Sequence, residues 1–252
     1  MHHTFKKYLL ICLCIAIMTF MLPIASVYAA TPVCRIGATE YETLKQAFDA
    51  AQDGDTVIVI SDIASAETIT IPEGKTLTIS DDGTSRTIKM TKPIFDVIGT
   101  LYISGTSDSN LIFDGTAWNG ATGSKGKLAT VKNNGVLNLL HATVNAGSLN
   151  NNKAGAITLL DNATFNMSGG ILQNAKASAY KTSGIVVVST NSIFNMTGGT
   201  IQKNDNNQSV SMMSGGVRII AANANETPTF KMSGGTITEN IGNMGGAYTP
   251  VA

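Results

Sequence analysis

Charge is scarce in this sequence. Only 13% of the 252 residues are charged, and the 17 basic side chains balance the 17 acidic ones. No basic patch is visible, and binding to nucleic acid phosphates requires one, so we expect no nucleic acid partner. The polar residues are mainly Ser, Thr, Asn and Gly. A neutral polar surface favours stacked β-strands, because ladders of like charges would repel one another.

The chain also lacks an apolar run long enough to cross a membrane. The longest, Tyr8–Met21, spans 14 residues (21 − 8 + 1), whereas a membrane-spanning helix needs ~20. Lys6 and Lys7 precede it, and the small-x-small pattern Val27–Ala29 follows. These features predict a secretory signal peptide over residues 1–29 rather than a membrane anchor. The mature chain would have 223 residues (252 − 29), no membrane span and an extracellular location.

Cysteine, histidine and tryptophan each occur only once after residue 29. Cys34 cannot form an internal disulfide, so packing must stabilise the mature chain. We predict that Cys34 is a small buried residue, with a free or intermolecular thiol as the alternative. His141 has no evident cysteine or carboxylate partner, which favours a structural position over a metal ligand or base. Trp118 lies in a Gly-rich insertion, where it can either stack on a sugar ring or fold back onto the protein.

One phrase occurs three times in the second half of the chain: Phe165–Leu172, Phe194–Ile201 and Phe230–Ile237. The first reads Phe-Asn-Met-Ser-Gly-Gly-Ile-Leu, and the phenylalanines are 29 (194 − 165) and 36 (230 − 194) residues apart. A strand-like phrase recurring at about 20–50 residues predicts a solenoid of stacked coils. We therefore expect the three phenylalanines to stack in register. Earlier residues that match them are Leu77, Leu101 and Leu137.

A second phrase precedes these copies and begins at Gly155, Gly184 and Gly216. Aligning the last two glycines predicts that Ile185 lies under Val217, that Val187 lies under Ile219, and that Arg218 faces water. The related residues Gly245–Tyr248 begin another coil, and the sequence stops at Ala252. We expect residues 61–252 to form an incomplete solenoid whose open final coil favours self-association.

Residues 30–60 differ from the repeats and predict an N-terminal cap of strand, helix and strand. Thr39 and Glu42 have the spacing of a capping box. Tyr41, Leu44, Phe48 and Ala51 then fall on one helical face. Asp53–Asp55 contains a glycine that ends the helix. Such a helix can cover the open apolar end of a solenoid.

These segments carry a resemblance to a known group. Residues 41–60 resemble the entry unit of pectate-lyase-like right-handed β-helix proteins of bacterial surfaces, and the Phe-x-Met-Ser/Thr-Gly-Gly phrase is similar to the repeat of the same adhesin-like group. The resemblance covers most of residues 33–249. It implies an all-β fold, a right-handed single-stranded parallel β-helix with a short N-terminal capping helix, in a secreted, wall-associated bacterial protein. No Leu-Pro-x-Thr-Gly sorting signal is present.

Few carboxylates are available for catalysis. β-Helix glycosidases need paired carboxylates, and lyases need a Ca²⁺ cluster with a basic residue. From Gly155 onward no acidic residue recurs at the same place in successive phrases. Asp81-Asp82 is favoured as a turn over a Ca²⁺ ligand pair, and Asp53–Asp55 lacks the further carboxylates of an EF-hand. We therefore predict no catalytic residue, metal site or cofactor, and Trp118 as the candidate binding residue.

The sequence favours a surface or adhesin-like scaffold that contacts glycans or matrix proteins through Trp118 and its outer faces. Tyr102, Tyr180 and Tyr248 are candidates for the same contact surface. Two alternatives remain at this point. One is a carbohydrate-active β-helix, a polysaccharide lyase or glycosidase, whose catalytic coils lie beyond Ala252. The other is a purely structural spacer.

Overall fold

Parallel β-strands form most of the computed structural model. It describes residues 31–64, 66–116, 126–149, 155–177, 184–206, 214–221, 223–242 and 247–248. The predicted signal peptide lies outside these ranges. Within them one helix is present, α1 (Leu44–Ala50).

The strands are mostly three to seven residues long. In chain order they are β1 (Cys34–Ile36), β2 (Thr39–Tyr41), β3 (Thr56–Val59), β4 (Ile69–Ile71), β5 (Thr76–Asp81), β6 (Arg86–Lys89), β7 (Phe95–Val97), β8 (Thr100–Ser104), β9 (Leu111–Asp114), β10 (Ala129–Val131), β11 (Val136–His141), β12 (Thr143–Leu149), β13 (Ile157–Leu159), β14 (Thr164–Met167), β15 (Ile171–Ala177), β16 (Val186–Ser189), β17 (Ile193–Met196), β18 (Thr200–Gln202), β19 (Asp205–Asn206), β20 (Val217–Ile220), β21 (Thr229–Met232), β22 (Thr236–Thr238), β23 (Ile241–Gly242) and β24 (Ala247–Tyr248).

Three long sheets contain these strands. Sheet A has the order β2-β1-β3-β5-β8-β11-β14-β17-β21, sheet B β22-β18-β15-β12-β9-β6, and sheet C β24-β20-β16-β13-β10-β7-β4; β19 and β23 extend sheet B. From β4 onward the chain passes repeatedly through sheets C, A and B. We call one such passage a coil. Each strand pairs in parallel with its equivalent in the next coil, which is consistent with a β-helix.

The predicted row of large apolar residues is confirmed in sheet A. Its six members occupy paired positions in successive strands: Leu77, Leu101, Leu137, Phe165, Phe194 and Phe230. The Phe165 and Phe194 ring centroids are 4.7 Å apart, and those of Phe194 and Phe230 are 4.9 Å apart. These distances match the ~4.8 Å between neighbouring strands. The repeated phrase therefore marks one position in consecutive coils.

In sheet C the predicted register is wrong by one residue. Val186, not Ile185, pairs with Val217, and Val188 pairs with Ile219. The run Ile185–Val188 is apolar throughout, so alternation does not distinguish its two faces, and a shift of one residue exchanges them. Arg218 pairs with Val187 and is half-buried. Ala247 and Tyr248 pair with Val217 and Arg218, which agrees with the prediction that another coil begins there.

The N-terminal cap contains the predicted helix, but the capping box lies elsewhere. Thr43, not Thr39, is the N-cap of α1: its hydroxyl accepts a hydrogen bond from the Gln46 amide (3.1 Å), and the Gln46 side chain accepts one from the Thr43 amide (3.2 Å). Thr39 belongs to β2, which pairs antiparallel with β1. Phe48 is buried on the inner face of α1, with its ring 5.7 Å from that of Phe95. The helix thus covers apolar residues of the first coils.

Candidate functional site

The outer face of sheet A carries a row of hydrogen-bonded amides. Asn195 Nδ2 donates to Asn166 Oδ1 at 2.9 Å, and Asn166 Nδ2 donates to Asn138 Oδ1 at 2.9 Å. The three side chains are half-buried and occupy paired positions in β17, β14 and β11. Strand alternation positions them, because the apolar residues on either side of each, Leu and Leu or Phe and Met, are buried in the core. The ladder links three coils on the solvent side.

Sheet B carries a matching row. Gln202 Nε2 donates to Gln173 Oε1 at 2.8 Å, and Gln173 Nε2 donates to Asn145 Oδ1 at 2.8 Å. Asn145 Oδ1 also accepts a hydrogen bond from Asn174 Nδ2 at 3.2 Å. A side-chain amide has two N–H donors and two acceptor lone pairs. Each inner member of a ladder uses one N–H donor and one acceptor lone pair for its neighbours. One N–H and one lone pair therefore remain for other contacts.

The sheet A ladder ends at Asn138. Its Nδ2 atom is buried and has no hydrogen-bond partner. Leaving a buried donor unpaired costs about 1–3 kcal/mol. The residue paired with Asn138 on the preceding coil is Tyr102, whose side chain is 36% exposed. This confirms that Tyr102 faces outward, and it places an aromatic ring next to the end of the ladder.

The prediction of a turn at Asp81-Asp82 is correct only in part, because Asp81 ends β5 and the bend begins at Gly83. Asp81 is 4% exposed and accepts hydrogen bonds from the amides of Gly83 and Thr106, both at 2.8 Å. Asp82 accepts hydrogen bonds from the Arg86 guanidinium, with a shortest distance of 2.7 Å. These bonds hold the pKa of Asp82 below its usual range. Both carboxylates are therefore occupied by the fold.

His141 does have a carboxylate partner, contrary to the expectation. Its Nδ1 lies 3.0 Å from Asp108 Oδ1, and the two side chains are 53% and 41% exposed. The Asp108 carbonyl oxygen also accepts a hydrogen bond from Thr143 Oγ1 at 2.7 Å. The pair stands 33 residues apart (141 − 108) in the sequence, close to the length of one coil. Only the register of β8 on β11 brings the two together.

A second charged group lies on the outer face of sheet C. Lys132 Nζ is 3.6 Å from Asp96 Oδ2, and Asp96 pairs with Thr130 on the neighbouring strand. Burial lowers the pKa of Lys127 from its ordinary value, and the nearby Asp96 partly offsets this. No sequence signal singled out these residues, because none of them belongs to a repeated phrase.

The carboxylates of Asp53 and Asp55 cap backbone amides. Asp53 Oδ1 accepts a hydrogen bond from the Thr76 amide at 2.7 Å, and Asp55 Oδ2 accepts one from the Gln52 amide at 2.7 Å. The helix α1 has already ended at Ala50. The segment thus stabilises the turn after the helix.

The predicted binding residue Trp118 lies outside the described residues, as does Tyr180. Tyr248 belongs to β24. In the part of the chain that the structure describes, no three His, Cys, Asp or Glu side chains are arranged to hold a metal ion. The helix in that part is not long and apolar enough to cross a membrane. No family model, curated protein or solved structure matches this chain.

Cys34 is fully buried, as predicted, and its thiol donates to the Thr43 carbonyl oxygen at 3.5 Å. Burial raises the pKa of Cys34 from 9.0 to about 11. Below pH 9 the thiol is neutral in the folded and in the unfolded chain. The contribution of the buried thiol to the free energy of unfolding is therefore fully present there. Between pH 9 and 11 the unfolded chain ionises first, so stability falls as pH rises, by about 2–3 kcal/mol.

This pH dependence can be measured by urea denaturation of the mature chain and of Cys34→Ala at pH 8, 9, 10 and 11. The variant loses packing at every pH, but its curve should fall less steeply above pH 9. Parallel curves for the two proteins would contradict the assignment of the alkaline loss to Cys34.

Proposed function

We propose that this chain is a secreted, adhesin-like surface scaffold, a right-handed parallel β-helix of the pectate-lyase-like type that binds glycans through its outer sheet faces. The signal-peptide pattern supports secretion. Crossovers between parallel strands are right-handed in nearly all proteins, which supports the handedness. The observation that carries the function is the pair of amide ladders on sheets A and B.

The ladders suit glycans for a chemical reason. Asn166 and Gln173 each donate one hydrogen bond and accept one within their rows. Each therefore keeps one donor and one lone pair. Sugar hydroxyls both donate and accept, so they match this combination. Because the rows repeat on successive coils, several weak contacts can act together. Trp118 remains the predicted loop contact.

The proposal predicts binding of the mature chain to one or more glycans on an array of bacterial and host glycans and matrix proteins. The double variant Asn166→Ala with Gln173→Ala should bind about tenfold more weakly, because it removes one ladder amide from each face. The control is Lys45→Ala with Asp49→Ala, which breaks an exposed ion pair on α1 (2.6 Å) away from both ladders.

Circular dichroism must show that both double variants keep the fold. Absence of any binding would favour the structural spacer, and release of product from pectin, polygalacturonate or xylan would favour the enzyme alternative. Oligomeric state is followed by light scattering in the same samples. We expect self-association, because Met232 and Ile241 on β21 and β23 are 45% and 51% exposed.

A further inference from the structure

A cleft lies between the N-terminal cap and the first coil. Its volume is about 330 Å³, which is at the lower end of the range for small-ligand sites. The start of α1 forms one wall, and residues between β3 and β4 form the other. The apolar part of the lining includes Leu44, Ile63 and Ala66, all of which are buried. The cleft therefore offers a concave apolar surface the size of a single side chain.

Three carboxylates border this apolar lining. They belong to Glu42, Asp62 and Glu67, and all three residues are exposed to solvent. Asp62 Oδ1 accepts a hydrogen bond from the Thr87 amide at 2.8 Å, which leaves its second oxygen for other contacts. The ion pairs present in the described ranges use other carboxylates, namely those of Asp49, Asp82, Asp96 and Asp108. The acidic groups of the cleft are thus reachable and are not held in ion pairs.

The cations of the protein do not enter this cleft. No lysine, arginine or histidine is among its described lining residues. Arg86 lies within electrostatic range of Asp62. Its guanidinium is bound to Asp82, however, through hydrogen bonds of 3.1 and 2.7 Å. Arg86 therefore offsets part of the Asp62 charge but does not occupy the cleft.

The N-terminal end of the mature chain is acidic as a whole. Residues 30–85 contain 10 acidic and 3 basic side chains, a net charge of −7 (3 − 10). Residues 86–252 contain 12 basic and 7 acidic side chains, a net charge of +5 (12 − 7). The balanced composition therefore conceals a separation of charge between the two parts. Such a field attracts cationic ligands toward the end that contains the cleft and speeds their association.

We propose that this cleft binds a lysine or arginine side chain of a basic partner protein. These side chains combine an apolar stem with a cationic head. The stem packs on the apolar lining, and the head lies between the carboxylates of Glu42 and Glu67, which form charge-assisted hydrogen bonds with it. A bare metal ion would leave the apolar surface unused. The site lies outside the two amide ladders, so it does not depend on glycan binding.

The probe is a short fluorescein-labelled peptide of alternating glycine and lysine, and its binding to the mature chain is followed by fluorescence anisotropy. The matching peptide of glycine and glutamate should not bind. The affinity for the lysine peptide should fall about tenfold between about 0.05 M and about 0.5 M salt, because salt screens the attraction between exposed charges.

Two double variants separate the cleft from the charge around it. Glu42→Gln with Glu67→Gln removes two carboxylates of the cleft and should weaken binding of the lysine peptide about tenfold. Glu40→Gln with Glu73→Gln is the matched control, because it changes the net charge equally at exposed residues that do not line the cleft. This control should weaken binding less than about threefold. Ala64→Phe fills the cleft at an exposed lining residue and should weaken binding about fivefold without a change in charge.

Equal weakening by the two double variants would overturn the site, because the peptide would then respond only to the charge of the whole end. Unchanged affinity in Ala64→Phe, or no binding of the lysine peptide at all, would also overturn it. Binding of Ca²⁺ without binding of the peptide would assign the carboxylates to a metal ion instead. Thermal transitions show whether each variant remains folded. None of these results alters the outcome of the glycan array, which tests the ladders.

Discussion

Replacing Phe194 by Ala is expected to lower the free energy of unfolding by about 3–5 kcal/mol. The Phe194 side chain is fully buried. Its ring lies between two others, with interplanar angles of 13° to Phe165 and 21° to Phe230. Removing it loses apolar burial and both ring contacts, and leaves a cavity that the neighbouring coils cannot close without breaking their register. Reversible urea denaturation of the mature chain measures the change.

Phe230→Ala is the matched control. Phe230 has the same place in its phrase and stacks on Phe194 (4.9 Å), but it is only partly buried. Phe230→Ala should lower the free energy of unfolding by about half as much as Phe194→Ala. The Phe230 ring buries less apolar area, and its removal leaves a smaller cavity. A loss under about 1 kcal/mol for Phe194→Ala would show that Phe194 is not a core residue, and equal losses for the two variants would show that Phe194 and Phe230 are equally buried.

The register of sheet A could be predicted from the sequence because its residues are unambiguous. Phe165, Phe194 and Phe230 are each followed by a polar residue and then by methionine, so the apolar face is clear from the sequence. Sheet C gave the wrong register because Ile185–Val188 is apolar at every position. The alignment in sheet C depended on matching Gly184 to a glycine of the next coil. Two adjacent glycines, Gly215 and Gly216, fit that position equally well in the sequence.

The capping box shows how tertiary pairing decides between equal local patterns. Thr39 with Glu42 and Thr43 with Gln46 both have the spacing of a capping box. Thr39 is already hydrogen-bonded in the hairpin of β1 and β2. The helix can therefore begin only after the hairpin, at Thr43. No local rule applied to residues 39–46 alone distinguishes the two.

The candidate site was predicted only in part. Tyr102 was predicted as a candidate for the contact surface, and it does lie on an outer face. The contacts between coils were missed, including the direction of the amide ladder and the pair of Asp108 with His141. Each joins side chains about one coil apart, so it depends on a register that has to be right to the residue. The loop lengths vary between coils, and the sequence alone does not fix them.

The glycines of the repeated phrase have two separate physical roles. In the first position are Gly169, Gly198 and Gly234. A Cβ on them would lie 2.1–2.2 Å from a carbonyl oxygen of the preceding coil: of Leu140, Ser168 and Thr197, respectively. In the second position, Gly170, Gly199 and Gly235 have φ of 80–85°. The first glycine is therefore required by close approach of the backbones, and the second also by its conformation.

Gly198→Ala should consequently destabilise the protein by about 3 kcal/mol or more. The added Cβ would lie 2.1 Å from the Ser168 oxygen and 2.9 Å from its carbonyl carbon. Both are backbone atoms held in the stack, so neither can move without displacing a coil, and overpacking of this kind is costly.

The control Gly74→Ala has φ of 77° but no atom within 4 Å of its Cβ. It should cost only about 1–2 kcal/mol, the strain of a left-handed alanine. Urea denaturation of the two variants and of the parent chain measures which substitution lowers the free energy of unfolding more. A smaller loss for Gly198→Ala than for Gly74→Ala would mean that the coils are not packed as closely as the carbonyl contact requires.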